Sequence, residues 1–189
     1  MPALPLRQAK REYRMLSSSI LLSPLRTDAA SDQFRTHVLP SDTEAVERLV
    51  RSTGVFSAAE IAIARELVDE HLLKGAEASG YYFLFADGPN GIEGYTCYGP
   101  VPGTNGRFEL YWIAVCKVSR RNGLGQRLQA ASEDAVRRLG AVMMIAETST
   151  KAEYSPARAF YVRQGYRLLA DIPDWHDEGD GLAIFGKRL

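Results

Sequence analysis

Residues 109–125 read Glu109-Leu110-Tyr111-Trp112-Ile113-Ala114-Val115-Cys116-Lys117-Val118-Ser119-Arg120-Arg121-Asn122-Gly123-Leu124-Gly125. Tyr111, Trp112, Ile113 and Val115 favour a strand. A short basic loop follows, and the two glycines open a helix whose core face is Leu124, Leu128, Ala131, Ala135 and Leu139. Exposed N–H groups at a helix start, with the helix dipole behind them, attract anions. Glycine lets a phosphate approach the backbone closely, and Arg120, Arg121 and Arg127 add positive charge. The residues by themselves therefore point to a phosphorylated ligand. Neither G-x-x-x-x-G-K-[ST] nor G-x-G-x-x-G occurs, which disfavours a phosphate loop and a dinucleotide fingerprint. R-x-x-G-x-G alone is as often a plain turn as a binding site.

Outward from this stretch, the pattern predicts a strand over 34–39 ended by Pro40. Capping boxes follow at Ser41-x-x-Glu44 and Ser57-x-x-Glu60. The first helix carries Val46, Leu49 and Val50 and stops near Gly54. The second carries Ile61, Ala64, Leu67, Val68 and Leu72 and ends at Gly75. Strands are predicted over 81–86 and 92–98, joined by Pro89-Asn90-Gly91. The central strand spans 108–115, and 142–146 is an apolar run of the kind covered on both faces. Ser155-Pro156 reads as an N-cap followed by proline at the first helical position, and Gly165 as the left-handed residue after that helix. Strands over 166–172 and 182–187, joined by a polar loop, complete the order β-α-α-β-β-β-α-β-α-β-β. Hairpins mixed with helical crossovers imply an α/β fold with a mixed sheet flanked by helices. Residues 1–32, rich in Arg, Ser and Ala, read as an N-terminal extension to a single domain over 33–189.

The chain has 189 residues, 46% hydrophobic and 24% charged, with 23 basic and 23 acidic side chains. Zero net charge argues against nucleic acid as a partner. The longest apolar run near the start, Ile20-Leu21-Leu22, is too short for a signal core or membrane span. These features lead to an expectation of a cytoplasmic protein with no membrane partner. Cys97, Cys116 and the three histidines have no metal-site or disulfide spacing, so both thiols are expected to be buried and reduced.

Taken together, the motifs resemble the GNAT superfamily of acetyl-CoA-dependent N-acetyltransferases. The fingerprint [QR]-x-x-G-x-[GA] is met by Arg120, Gly123 and Gly125 after the strand Tyr111-Trp112-Ile113-Ala114-Val115. Phe160-Tyr161 and Gly165-Tyr166 supply the later aromatic–Tyr and Gly–aromatic pairs. The resemblance covers about 34–189. It implies a splayed central sheet with acetyl-CoA as cosubstrate, its pantetheine arm lying between the strands at 108–115 and 142–147. Its diphosphate would rest on the amides of Arg120, Arg121, Asn122, Gly123, Leu124, Gly125 and Gln126, and the backbone near Ala114 and Val115 would bond the pantetheine and polarise the thioester. Many relatives carry Pro where Lys117 stands, and Asn three residues before Ala157, where this chain has Tyr154.

The same resemblance implies direct acetyl transfer to an amine. Tyr161 would be the acid for the departing thiolate. Glu109 is the first candidate base and Glu147 the second, with a water chain as the remaining possibility. Cys116 lacks an activating partner in sequence and is read as a buried thiol, so no covalent intermediate is needed. Val55, Phe56, Tyr81, Tyr82 and the acidic loop 173–180 are the candidates for the acceptor pocket, and that loop suits a cationic amine. Sheet-edge pairing into a homodimer is common among similar folds. A non-catalytic module that senses acyl-CoA is the alternative reading.

Overall fold

The computed structural model describes residues 34–189, so the extension expected over 1–32 lies outside the described residues. Two helices, α1 (Asp42–Thr53) and α2 (Ala58–Ser79), precede the strands β1 (Tyr82–Gly88), β2 (Gly91–Pro100) and β3 (Arg107–Val115). Helix α3 (Leu124–Arg138), strand β4 (Met143–Ser149) and helix α4 (Ser155–Arg163) follow. The hairpin of β5 (Arg167–Asp177) and β6 (Asp180–Arg188) ends the chain. The six strands form one mixed sheet in the order β1-β2-β3-β4-β6-β5. Its β3–β4 pair is parallel, and its other pairs are antiparallel.

Each face of the sheet carries its own core. On one side α1 and α2 press Val46, Val50, Ile61 and Val68 against Phe83, Tyr95, Trp112 and Ala114. On the other, α3 and α4 pack Leu124, Leu128 and Tyr161 against Leu110, Met144, Ala146 and Phe185. Val46, Val50 and Leu128 are wholly excluded from solvent, each gaining about 1.5–3 kcal/mol from burial. Helix α3 sits very close to the sheet because Gly94 has no side chain. A Cβ there would stand 2.9 Å from the Leu128 side chain and 3.1 Å from the Ala114 carbonyl.

Several local expectations are corrected. Residues 34–39 are not a strand. Arg35 alone bridges to Phe85, and its guanidinium is drawn to Asp42 and Asp87, each at 2.7 Å, which turns the chain into α1. Ser41 caps nothing: its backbone is already helical, and the Asp42 carboxylate takes the Leu39 N–H instead at 2.7 Å. The Ser57/Glu60 box is present in both directions. Helix α2 does not end at Gly75; it kinks there and resumes to Ser79. Ser155 is itself helical, so Tyr154 holds the cap position and Pro156 comes second. Strand β4 alternates instead of being covered on both faces, with Met144 and Ala146 buried and Ile145 only half-buried. The loop expected over 173–180 is largely strand, since β5 continues to Asp177 through a break in register.

The close of α4 follows the sequence reading. Gly165 is left-handed (φ 83°). Its N–H bonds the Val162 carbonyl and the Tyr166 N–H bonds the Tyr161 carbonyl, both at 3.0 Å. This is a Schellman closure, and it sets Tyr166 under the sheet beside Tyr161, ring centroids 5.7 Å apart.

Burial raises the Tyr98, Tyr161 and Tyr166 phenols above their ordinary 10.0; nearby Cys97, Glu109 and Glu133 respectively add to the shift. A folded-state pKa above the unfolded one contributes stability that is complete below about pH 10 and is lost as pH climbs further. Above that point stability is expected to fall by up to about 1.4 kcal/mol per pH unit for each of these tyrosines. Urea unfolding over a series from about pH 9 to 11 measures it, and a flat profile would contradict the burial of these phenols.

Candidate active site

Strands β3 and β4 run side by side only briefly. Arg107, Phe108, Glu109 and Leu110 pair with Met143, Met144, Ile145 and Ala146, and the ladder then stops. Beyond it β3 continues to Val115 against β2, while β4 continues to Ser149 against β6. The sheet therefore opens into a gap between residues 111–115 on one bank and 147–149 on the other.

A bulge decides what faces this gap. The β2–β3 register jumps from Cys97↔Trp112 to Tyr98↔Leu110, which leaves Tyr111 as an extra residue. Phe108 and Leu110 point to the α3/α4 core, but Ile113 and Val115 do so after the bulge, while Trp112 and Ala114 turn to the α1/α2 core. The backbone obeys the same alternation. The Cys116 N–H bonds the Glu93 carbonyl of β2 at 2.8 Å. In an antiparallel ladder the peptide groups of Ala114 then also turn to β2, and those of Ile113 and Val115 turn away from it, into the gap. The Val115 carbonyl there accepts the Arg120 Nε–H at 3.2 Å. Ile113 is a gap-facing backbone position that reading the sequence missed, because nothing local signals the bulge.

At the mouth of the gap, Lys117–Ser119 form one 3₁₀ turn. The backbone is left-handed at Arg121 (φ 67°) and again at Gly123 (φ 80°), and such turns aim successive N–H groups to one side. The Asn122 side chain accepts the Leu124 N–H at 3.1 Å. The Arg127 N–H is the first to bond back in α3, to the Gly123 carbonyl at 3.0 Å. The amides of Gly123, Gly125 and Gln126 thus precede the helix's own ladder. A Cβ on Gly125 would meet Phe160 and Val115 only at ordinary contact, 3.7 and 3.8 Å, so the protein's own packing does not demand glycine there. Arg120, Arg121 and Arg127 rim this cradle from exposed positions. Arg127 is braced by a 3.0 Å bond to the Asn122 carbonyl.

Glu109 and Tyr161 approach the opening from opposite faces. Glu109 lies between Phe108 and Leu110 on β3, so its side chain points to the α1/α2 side, and it is buried. Tyr161 comes from α4 on the other side, also buried. Its phenol is raised by desolvation first and by the nearby Glu109 charge second. Glu147 follows Ile145, the register partner of Glu109, by two residues. It shares that face and is half-buried. Cys97 is buried and Cys116 half-buried, both as free thiols.

The expected acceptor residues separate. Phe56 packs against Trp112 at a tilt of 55° with centroids 4.9 Å apart, and Tyr81 meets Tyr111 edge-on. Tyr82 instead stacks on Tyr98 in the opposite core. Val55 is exposed. The acidic segment is not uniformly solvated. Asp180 is buried, bonded by the Ser149 hydroxyl and paired with Lys151 at 3.2 Å. Desolvation raises its carboxyl, but those two partners outweigh it and hold it below the usual range. Arg158 ties α4 to the end of β4, donating to the Ser149 and Lys151 carbonyls at 2.7 and 2.9 Å. Among the described residues, no group of His, Cys, Asp or Glu could hold a metal ion, and no helix is long and apolar enough to cross a membrane.

Comparison with known proteins agrees with this architecture. The profile of the Acetyltransferase (GNAT) family matches residues 46–166. No curated protein sequence matches the chain. A crystal structure from Desulfovibrio desulfuricans, described as a GNAT-family acetyltransferase, is 44% identical over 82% of this chain and 97% of its own, with a TM-score of 0.80. Ribosomal-protein-alanine N-acetyltransferase from Brucella melitensis shares the fold at 21% identity, over 82% and 99% of the two chains (TM-score 0.65). So does the acetyltransferase yncA from Salmonella typhimurium, solved with acetyl-CoA, at 17% identity over 82% and 94% (TM-score 0.61). With its splayed strands, helix-start cradle and matching profile, this chain belongs to the GNAT family of acetyltransferases.

Proposed function

We propose that the protein transfers the acetyl group of acetyl-CoA directly to an amine, with both substrates bound at once. The observation that carries this reading is the parting of β3 and β4 after Leu110 and Ala146, beside a helix start whose first amides lie outside its own ladder. The diphosphate of the cosubstrate would rest on the amides of Arg121, Asn122, Gly123, Gly125 and Gln126, the Leu124 amide being held by Asn122 and the Arg120 amide by Lys117, against the rim of Arg120, Arg121 and Arg127. Its pantetheine would run into the gap along Val115. The Ile113 N–H, turned into the gap two residues earlier, suits the thioester oxygen as negative charge develops on it.

The chemistry then divides between the two faces. The amine attacks the acetyl carbon from the α1/α2 side, a C–N bond forms, and Glu109 takes the amine proton. As the C–S bond breaks, the Tyr161 phenol gives its proton to the leaving sulfur from the other side. A phenol with its ordinary pKa of about 10 is already protonated at neutral pH, and burial and Glu109 only raise that value. Glu147 stands second to Glu109 because it is less enclosed.

Calorimetry of the protein with acetyl-CoA tests the binding step, and a thiol-release assay tests transfer. Glu109→Gln is expected to lower kcat/KM for the amine about 10²-fold near neutrality. The deficit should shrink as pH approaches the amine's own pKa, about 10.4 for a lysine-like acceptor. A deficit constant with pH would move the base elsewhere, with Glu147 next in line.

A further inference from the structure

Across the gap, on the face where Glu109 lies, the two banks meet through an aromatic ladder and one carboxylate. Trp112 of β3 carries the Phe56 ring at 4.9 Å. Tyr154, from the turn after β4, meets Phe56 edge-on at 6.3 Å. The Tyr154 hydroxyl donates to Glu60 at 2.9 Å to Oε1 and 3.1 Å to Oε2. Glu60 is held in place from behind, since the Ser57 N–H and hydroxyl both donate to its Oε2 at 2.8 Å. Phe56, Glu60 and Tyr154 are all half-buried.

We infer that Phe56, Trp112 and Tyr154 form the wall of the acceptor site and Glu60 its charged end. The acceptor is then an amine on an aromatic or apolar body, with no carboxylate on the carbon next to the amine. This rests on the acetyl-transfer reading above. Aromatic faces attract an ammonium group and carry apolar surface. The carboxylates of Glu60, Glu109 and Glu147 favour a cation on approach and oppose an anion. Of the basic side chains nearby, Lys151 pairs with Asp180, Arg158 serves two backbone carbonyls, and the Lys117 ammonium lies against Gly54 at the end of α1. An acceptor carboxylate entering here would lose water and face three carboxylates. Glu60, already fixed by its capping bonds, needs little reordering to bind.

Tyramine and tyrosine differ only by that carboxylate, which makes them the probes. The full chain, saturated with CoA, is titrated with each while Trp112 emission is followed; Trp175→Phe removes the other tryptophan, which lies exposed in β5. Tyramine is expected to bind at least about tenfold more tightly than tyrosine. Glu60→Gln should weaken tyramine by about tenfold and leave CoA affinity unchanged. Glutamine still completes a capping box, so helix α2 is retained, and thermal melting verifies it. A solely structural role for Glu60 would lower the melting temperature and leave tyramine binding as it was. Equal binding of the two probes, binding of neither, or indifference to Glu60→Gln overturns the inference while acetyl transfer stands. Failure of the wild-type chain to bind CoA would instead remove the reading beneath it.

Discussion

Tyr161→Phe is expected to lower kcat by about 10²–10⁴-fold, the range of a positioned general acid, with acetyl-CoA affinity and the fold preserved. The ring is fully packed among Tyr166, Phe185 and Phe160, and phenylalanine keeps all of those contacts. The hydroxyl takes part in no hydrogen bond with any described residue, so its removal breaks no structural link and should cost less than about 1 kcal/mol. Its chemical surroundings are more demanding. Burial and the Glu109 charge both keep it protonated, as an acid held in reserve must be. Steady-state kinetics at saturating amine, paired with thermal melts, separates the effects. A variant with unchanged kcat and unchanged stability would take Tyr161 out of the mechanism.

Gly125→Leu is expected to weaken acetyl-CoA binding by at least about 100-fold while the empty protein folds normally. A Cβ at this position makes only ordinary contacts with Phe160 and Val115, and leucine is a good helix former. The rest of that side chain would extend toward the gap between Val115 and α4, where the pantetheine is proposed to run. Gly125→Ala serves as the control, since its single methyl fits and should leave most affinity intact. The opposite choice at Gly123 would confuse the result: its φ of 80° penalises any side chain whether or not a ligand is bound. Calorimetry with acetyl-CoA and CD of the unliganded proteins read out the two effects. Tight binding by the leucine variant would place the cosubstrate elsewhere.

Motifs whose physics is local were legible in the residues. Ser57 and Glu60 make their capping box because both partners lie within one helical turn. Gly165 closes α4 because a left-handed residue must stand there. Gly123 and Gly125 open α3 after a strand, as the spacing of their neighbours indicated. Where local signals competed, charge decided. Ser41 had the right neighbour at Glu44, but Asp42 is a stronger acceptor and is anchored by Arg35. The 34–39 segment had strand-forming residues, yet the pull of Asp42 and Asp87 on Arg35 allows it a single bridge. The Asn-to-Tyr change at 154 gave no hint of its contacts, because Glu60 lies 94 residues away in the chain.

By itself the sequence determined the mixed α/β architecture and the basic helix-start loop, which depend on periodicity and spacing within a few turns of chain, while Glu109 and Tyr161 became candidates through the resemblance to the GNAT superfamily. Tertiary structure alone decided after which residues the two strands part, which backbone groups face the opening, and from which faces of the sheet Glu109 and Tyr161 come. The extra residue at Tyr111 shifts every later side chain and peptide group of β3 by one position. That shift exists only because β2 holds the strand in a broken register, a long-range pairing that no local pattern encodes.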